Sequence, residues 1–333
     1  MKYNKRTTKL QNTNLTATEM GKLWASYVGN TMGGCVITYY LQHVDDTNIK
    51  KLLENALELS KYIVNTIKDY FTQCNFPVPI GFTKNDLNLK APRLFSDEFY
   101  FHYLQYTGKA GMSLYNAGIP IITKREIRDF FGEVLQLTVE MTSDINELLK
   151  DKGLSMLSPE IPAPQQVDFI KKQNYLNGYF GDTRPLHGLE IAHLFDDITN
   201  DATSKVLLIA FSKVARDNKL KKYFQRGKNI NHKHIIKATE KLTKNNIQAP
   251  PLLEQLGIDP NIAPFSDELM LFHKIDMFSM KIRSYANGAS LNGRRDIGAM
   301  YAKFLFDVSL YVEDGANIMI DHGWMERPPE AQI

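Results

Sequence analysis

The sequence predicts an all-α protein made of two tandem four-helix bundles related by an internal duplication. Three observations carry that expectation. The two halves of the 333-residue chain match each other, in order, at a shift of 170 or 171 residues. Within each half, apolar residues recur at three and four, the spacing of one helix face. No stretch alternates apolar and polar residues as a half-buried strand does.

The duplication is read from residue pairs. Glu19, Leu23 and Trp24 meet Glu190, Leu194 and Phe195, and Phe95-Ser-Asp-Glu98 meets Phe265-Ser-Asp-Glu268. Tyr115 and Gly118 meet Tyr285 and Gly288, Arg125-Glu-Ile127 meets Arg295-Asp-Ile297, and Asp151-Lys-Gly153 meets Asp321-His-Gly323. The resulting plan is a basic tail over 1–14 and a first bundle over 15–157. A proline-rich linker and apolar strap then cover 158–185, and a second bundle covers 186–333.

Each helix of the first unit has its own signal. The first carries the stripe Met20, Leu23, Trp24, Tyr27, Cys35, Tyr39, the second Ile49, Leu53, Ala56, Ile63, Ile67, Tyr70. The third begins after Phe95, and the fourth carries Ile127, Phe130, Val134, Met141, Ile145, Leu148. Thr16-x-x-Glu19 and Thr123-x-x-Glu126 read as capping boxes, in which a hydroxyl and a carboxylate satisfy unpaired N–H groups. Ser96 with Asp97 and Glu98 puts a cap and negative charge at a helix start. Gly153 and Gly323 stand where left-handed caps close the last turns. In the second unit the helices fall near 187–214, 218–245, 266–288 and 292–321. Residues 75–95, with Pro77, Pro79, Gly81 and Pro92, form a long connection that lets the third helix run parallel to the second, as in ferritin-like bundles. Ser158-Pro-Glu-Ile-Pro-Ala-Pro164 cannot be helix. The apolar strap after it, with Val167, Phe169, Ile170, Tyr175, Leu176, Tyr179 and Phe180, is expected to pack on a bundle or to serve as a ligand lid.

Composition removes several function classes. A net charge of +3 gives no argument for nucleic acid or an anionic membrane, and two cysteines exclude a disulfide scaffold. The longest apolar run, Val206–Phe211, is far short of the ~20 residues that cross a bilayer, and the basic N-terminus has no apolar core of a signal peptide. The chain therefore reads as a soluble, cytoplasmic protein. No nucleophile elbow or Ser/His/Asp set is visible. The run Lys219, Lys221, Lys222, Arg226, with Tyr223 and Phe224, reads as a solvated helix face.

A di-iron bundle takes a glutamate from each of two helices and a Glu-x-x-His from each of the other two. The first unit has no Glu-x-x-His, and the second has one, Glu190-Ile-Ala-His193, on its first helix. Glu190, His193, His234 and His273 are nonetheless the candidates for a mononuclear metal or polar pocket in the second unit. The alternative is that Glu190 caps its helix and each histidine is solvated or hydrogen-bonded. No cofactor is expected, with iron or manganese as the alternative.

Leu15-Thr-x-x-Glu19-x-x-x-Leu23-Trp24, Ala91-Pro-Arg-Leu-Phe-Ser-Asp97, Arg184-Pro-Leu186, Pro264-Phe-Ser-Asp267 and Glu313-Asp-Gly-Ala-Asn-Ile-Met-Ile320 resemble a domain-of-unknown-function family of endospore-forming bacteria, with one or two ferritin-like domains and often labelled spore-coat-like. The resemblance covers nearly the whole chain. It implies two ferritin-like bundles and a link with sporulation, and it carries no catalytic residue. Where helix two of the family tends to hold a histidine, this chain has Ile63 and His234. The expected function is that of a non-catalytic structural or interaction protein with a protein partner, a homo-oligomer being one form of it. A metal-binding protein or oxidoreductase with its site in the second bundle, and a carrier of a small apolar ligand, are the alternatives.

Overall fold

The computed structural model describes residues 9–155, 157–180, 183–259, 261–291 and 293–331. Among these residues the chain is helical, with an isolated bridge between Leu87 and Phe265 as its only β pairing. The helices are α1 (Ala17–His43), α2 (Thr47–Gln73), α3 (Asp97–Gly118), α4 (Arg125–Asp151), α5 (Gly188–Val214), α6 (Asn218–Thr243), α7 (Asp267–Leu291) and α8 (Arg295–Asp321). They fall where the apolar periodicity puts them, within about three residues at each end.

Contacts give the direction of each helix. In the second bundle Asn231 and then His234 of α6 meet Lys281 and then Tyr285 of α7, so α6 and α7 run parallel. Along α5, Asp197 and Asp201 meet Ser284 and Lys281 of α7 in falling order, so that pair is antiparallel. Tyr223 with Tyr311 and His234 with Phe304 make α6 and α8 antiparallel. This is the ferritin-like connectivity that a long crossover between second and third helices allows. The first bundle repeats it. Asn30 meets Tyr115, Ser60 meets Asn30, and Tyr70 meets Glu126.

The buried stripes make the cores. Leu23, Tyr27, Ile63, Ile67, Tyr70, Ile127, Phe130 and Val134 pack in the first bundle, and Tyr40 stacks on Tyr100 at 4.5 Å near the other end of α1. Gly153 and Gly323 both take φ of 68°, the left-handed cap that lets each long helix stop.

Of the described residues, those in Met1–Ser155, Pro260–Met270 and Gly323–Ile333 form one compact unit, and those in Met156–Asp259 and Leu271–His322 form the other. Within the first unit, Asn88 N–H donates to the Pro264 carbonyl and Ser266 N–H to that of Asp86. Glu326 there accepts from the backbone N–H groups of Ile80 and Gly81 at 2.9 and 2.6 Å.

The strap differs from the packed segment expected of it. Tyr175 is anchored through Arg184, which donates to the Tyr175 carbonyl and lies over its ring. Val167, Phe169 and Phe180 are instead 87%, 77% and 87% exposed. Apolar composition alone does not distinguish a segment that packs from one that is presented.

Candidate functional site

The second bundle buries a set of charges that its helix periodicity aligns. Asp197 and Asp201 lie one turn apart on α5, while Lys274 and Lys281 lie two turns apart on α7, so each pair shares a face. Asn231 and His234 of α6 and Tyr301 and Asp307 of α8 complete the ring. Lys281 Nζ is 2.7 Å from Asp201 Oδ1 and donates to Asn231 Oδ1 at 2.6 Å. Tyr285 donates its hydroxyl to Asp201 Oδ2 at 2.8 Å, with His234 Nδ1 at 3.2 Å from the same hydroxyl. Asp197 accepts from Tyr301 at 2.8 Å and from Ser284 at 2.5 Å. Lys274, fully buried, donates to the carbonyl and hydroxyl oxygens of Ser204.

Burial governs the electrostatics. It pushes the Asp197 carboxyl up to about 8, against the opposing Ser284 and Tyr301 hydroxyls. It holds Lys281 below the ordinary lysine range although Asp201 pulls the other way, and it holds Lys274 far below that range. Burial likewise lowers His234. The Lys281–Asp201 pair is only 3% exposed on each side, so its charges answer to each other rather than to water.

The first bundle makes the same network without charge. Asn30 stands where Asp201 does and donates to the Tyr115 hydroxyl, and Ser60 donates to the Asn30 carbonyl as Asn231 donates to that of Asp201. Gly111 stands opposite Lys281, and a Cβ there would come within 3.1 Å of the Tyr115 ring. Lysine and aspartate are thus present together in one copy and absent together from the other.

The four candidate ligands are spread along the second bundle rather than gathered. Glu190 sits in the first turn of α5, and His193, half-buried, lies one turn on. His234 lies at the level of Asp201. His273 packs its ring edge-on to Phe211, 21 residues beyond Glu190 on α5 and hence about 30 Å along the helix. Burial lowers His273 to about 3. Among the described residues no three His, Cys, Asp or Glu side chains are grouped to hold a metal ion.

Glu190 has a fuller role than a cap. It closes a box with His187, takes the Arg184 guanidinium through both oxygens at 2.7 Å, and accepts from the Arg294 backbone N–H at the start of α8. Glu19 does the same in the first bundle with Thr16, the Lys124 backbone and the Thr123 hydroxyl. Each glutamate therefore ties its first helix to its fourth. Burial raises the Glu19 carboxyl, but these donors outweigh it and hold the group at about 2. The expected capping box at Thr123 is not made, because its hydroxyl is drawn to Glu19 and Lys124 becomes the N-cap. The basic run near Lys219 lies as a solvated face: Lys219 pairs with Asp321 and Arg226 with Asp314, while Tyr223 and Phe224 are buried.

Sequence reasoning missed Asp197, Asp201, Lys274, Lys281 and Tyr285. The available signal was the seven-residue spacing of the two lysines on a helix otherwise striped with Leu, Met and Phe.

No helix among the described residues is long and apolar enough to cross a membrane. No curated protein matches the chain. A solved structure from Bacillus halodurans C-125, described as "a putative spore coat protein", is similar at 16% identity, covering 45% of this chain and 98% of its own, with a TM-score of 0.42. A family profile matches residues 5–167 and again 175–332. Matched in two successive copies over nearly its whole length, the chain belongs to the family described as "Protein of unknown function (DUF3231)".

Proposed function

We propose that this chain is a non-catalytic structural or interaction protein that binds a protein partner through its strap. The observation that carries this reading is the run of exposed large apolar side chains, Val167, Phe169, Ile170, Tyr179 and Phe180, in one short segment. Scattered surface apolar residues are ordinary, but a contiguous set marks a surface that something covers. The bundle interior supports the same reading, because the buried carboxylates Asp197 and Asp201 are already engaged by Ser284, Tyr301, Lys281 and Tyr285. The motif resemblance to a family of endospore formers supports a place in spore assembly.

Sedimentation of the full chain tests whether the partner is a second copy, and fractionation of mature spores tests the location. Replacing Phe169 and Phe180 by serine is expected to leave the fold unchanged and to abolish whatever association the native chain shows. Metal analysis of protein purified without an affinity tag decides against the alternative. Stoichiometric iron or manganese would overturn the non-catalytic reading and return Glu190, His193, His234 and His273 to consideration as ligands.

A further inference from the structure

Two exposed helix faces of opposite charge share one spacing. Along α6 and its C-cap, Lys219, Lys222, Arg226, Lys233, Lys237 and Lys244 follow at intervals of 3, 4, 7, 4 and 7 residues. Along α4, Glu126, Asp129, Glu133, Glu140, Asp144 and Asp151 follow at the same intervals. At about 100° per residue each set stays within about 60° of arc, a ridge about 38 Å long. Glu126 and Glu140 are half-buried and the rest are exposed. Asp321 and Asp314 offset Lys219 and Arg226, whereas Lys222, Lys233, Lys244, Asp144 and Asp151 make no ion pair among the described residues. The duplication supplied neither ridge. The places in α2 that correspond to the α6 ridge hold Asn48, Lys51, Asn55, Tyr62, Thr66 and Gln73. Likewise α8 has Lys303 and Leu310 where α4 has Glu133 and Glu140.

The basic ridge is continuous with the strap. A cleft lined by Gly178, Thr183, Lys241 and Lys244 joins the end of α6 to the segment that exposes Tyr179 and Phe180. The strap itself adds exposed Lys171 and Lys172. Resting on the reading that the strap binds a protein, we infer that this protein is a second copy of the chain, whose acidic α4 ridge receives the basic α6 ridge. Set side by side, the ridges bring cation against carboxylate at every step named, and Glu147 against Glu240 is the one like-charged pair on the face. Exposed charges select and steer a partner more than they hold it, so the strap supplies grip and the ridges supply choice. A phosphate polymer or an anionic bilayer fits this surface less well, because Glu240 interrupts the basic ridge and Asp314 and Asp321 flank it.

Sedimentation velocity of the full chain is expected to show association that grows with concentration. Its affinity is expected to fall at least about tenfold between about 0.05 and 0.5 M salt, as screening shortens the reach of exposed charges. Lys233→Glu with Lys244→Glu reverses part of the α6 ridge, and Glu140→Lys with Asp151→Lys reverses the matching part of α4. Each variant alone is expected to associate at least about tenfold more weakly than the native chain. An equimolar mixture of the two is expected to recover association, because the reversed ridges then fit each other. Should a reversal fail to fold, Lys233→Gln with Lys244→Gln, expected to weaken association at least about threefold, decides in its place. Phe169→Ser with Phe180→Ser tests the strap separately: native-like association there, beside failing ridge variants, would refute the part given to the strap and leave the ridge pairing. Native-like association of either reversed variant, or a mixture that does not recover, would overturn the ridge pairing and leave the strap. A native chain that stays monomeric, or that binds duplex DNA or phosphatidylserine vesicles through α6 without associating with itself, would overturn the assignment of a second copy.

Discussion

Replacing Asp201 by asparagine, the residue of the first copy, would leave the Lys281 ammonium buried with neutral amide acceptors and no counter-charge in contact. Removing one partner of a buried pair costs about 3–5 kcal/mol, because the surviving charge keeps its desolvation penalty and loses its compensation. On the scale of ~1.4 kcal/mol per tenfold, amides that open with the second bundle should exchange about two to four powers of ten faster. Hydrogen exchange resolved by helix suits this test, since a chain of two bundles need not unfold in a single step. Salt should change the deficit little, as the pair is shielded from solvent. Raising the pH should shrink it, because Lys281, already held below the ordinary lysine range, can shed its proton. Adding Lys281→Met restores neutrality, as Asn30 and Gly111 do in the first copy, and should recover at least about 2 kcal/mol. A single substitution costing less than about 1 kcal/mol, or two effects that simply add, would refute the view that these residues act as a unit.

Four further outcomes follow from the structure. Glu19→Gln and Glu190→Gln should each loosen the tie between first and fourth helices by about 1–3 kcal/mol. The native contribution of Glu19 should be complete above about 4.5 and disappear as pH falls toward about 2, which an acid titration of first-bundle exchange would show. Gly227→Ala should cost about 1–3 kcal/mol in thermal unfolding, because a Cβ there would meet the Tyr311 hydroxyl and ring where that residue stacks on Tyr223 at 4.1 Å. Cys35, pushed up to about 12 chiefly by burial, should resist alkylation in the native protein at neutral pH and react once unfolded, as mass spectrometry would record.

Much of the architecture was legible because it depends on periodicity. The stripe from Ile49 to Tyr70 is buried as its spacing demands, and the Thr16 capping box forms because Glu19 lies within its own first turn. Thr123 shows the limit of such local rules. The same Ser/Thr-x-x-Glu pattern was available, but a buried carboxylate 104 residues away competed for the hydroxyl and won. The charged interior was harder to see, since an aspartate or lysine on a helix is ordinarily assigned to water. Only the three-dimensional meeting of Asp201 with Lys281 makes both tolerable inside. The strap was misjudged for the opposite reason. Phe169 and Phe180 are apolar enough to pack, and nothing in their spacing says whether a surface is there to receive them.

The contribution of residues 261–270 and 323–331 to the first unit bears on the order of events at the ribosome. Translation runs from the N-terminus, yet the Ile80 and Gly81 amides wait for Glu326, which is made only after α8. The first bundle is therefore closed only after the helices of the second have been made, and a nascent chain stalled after α7 would hold the first bundle without that closing tie.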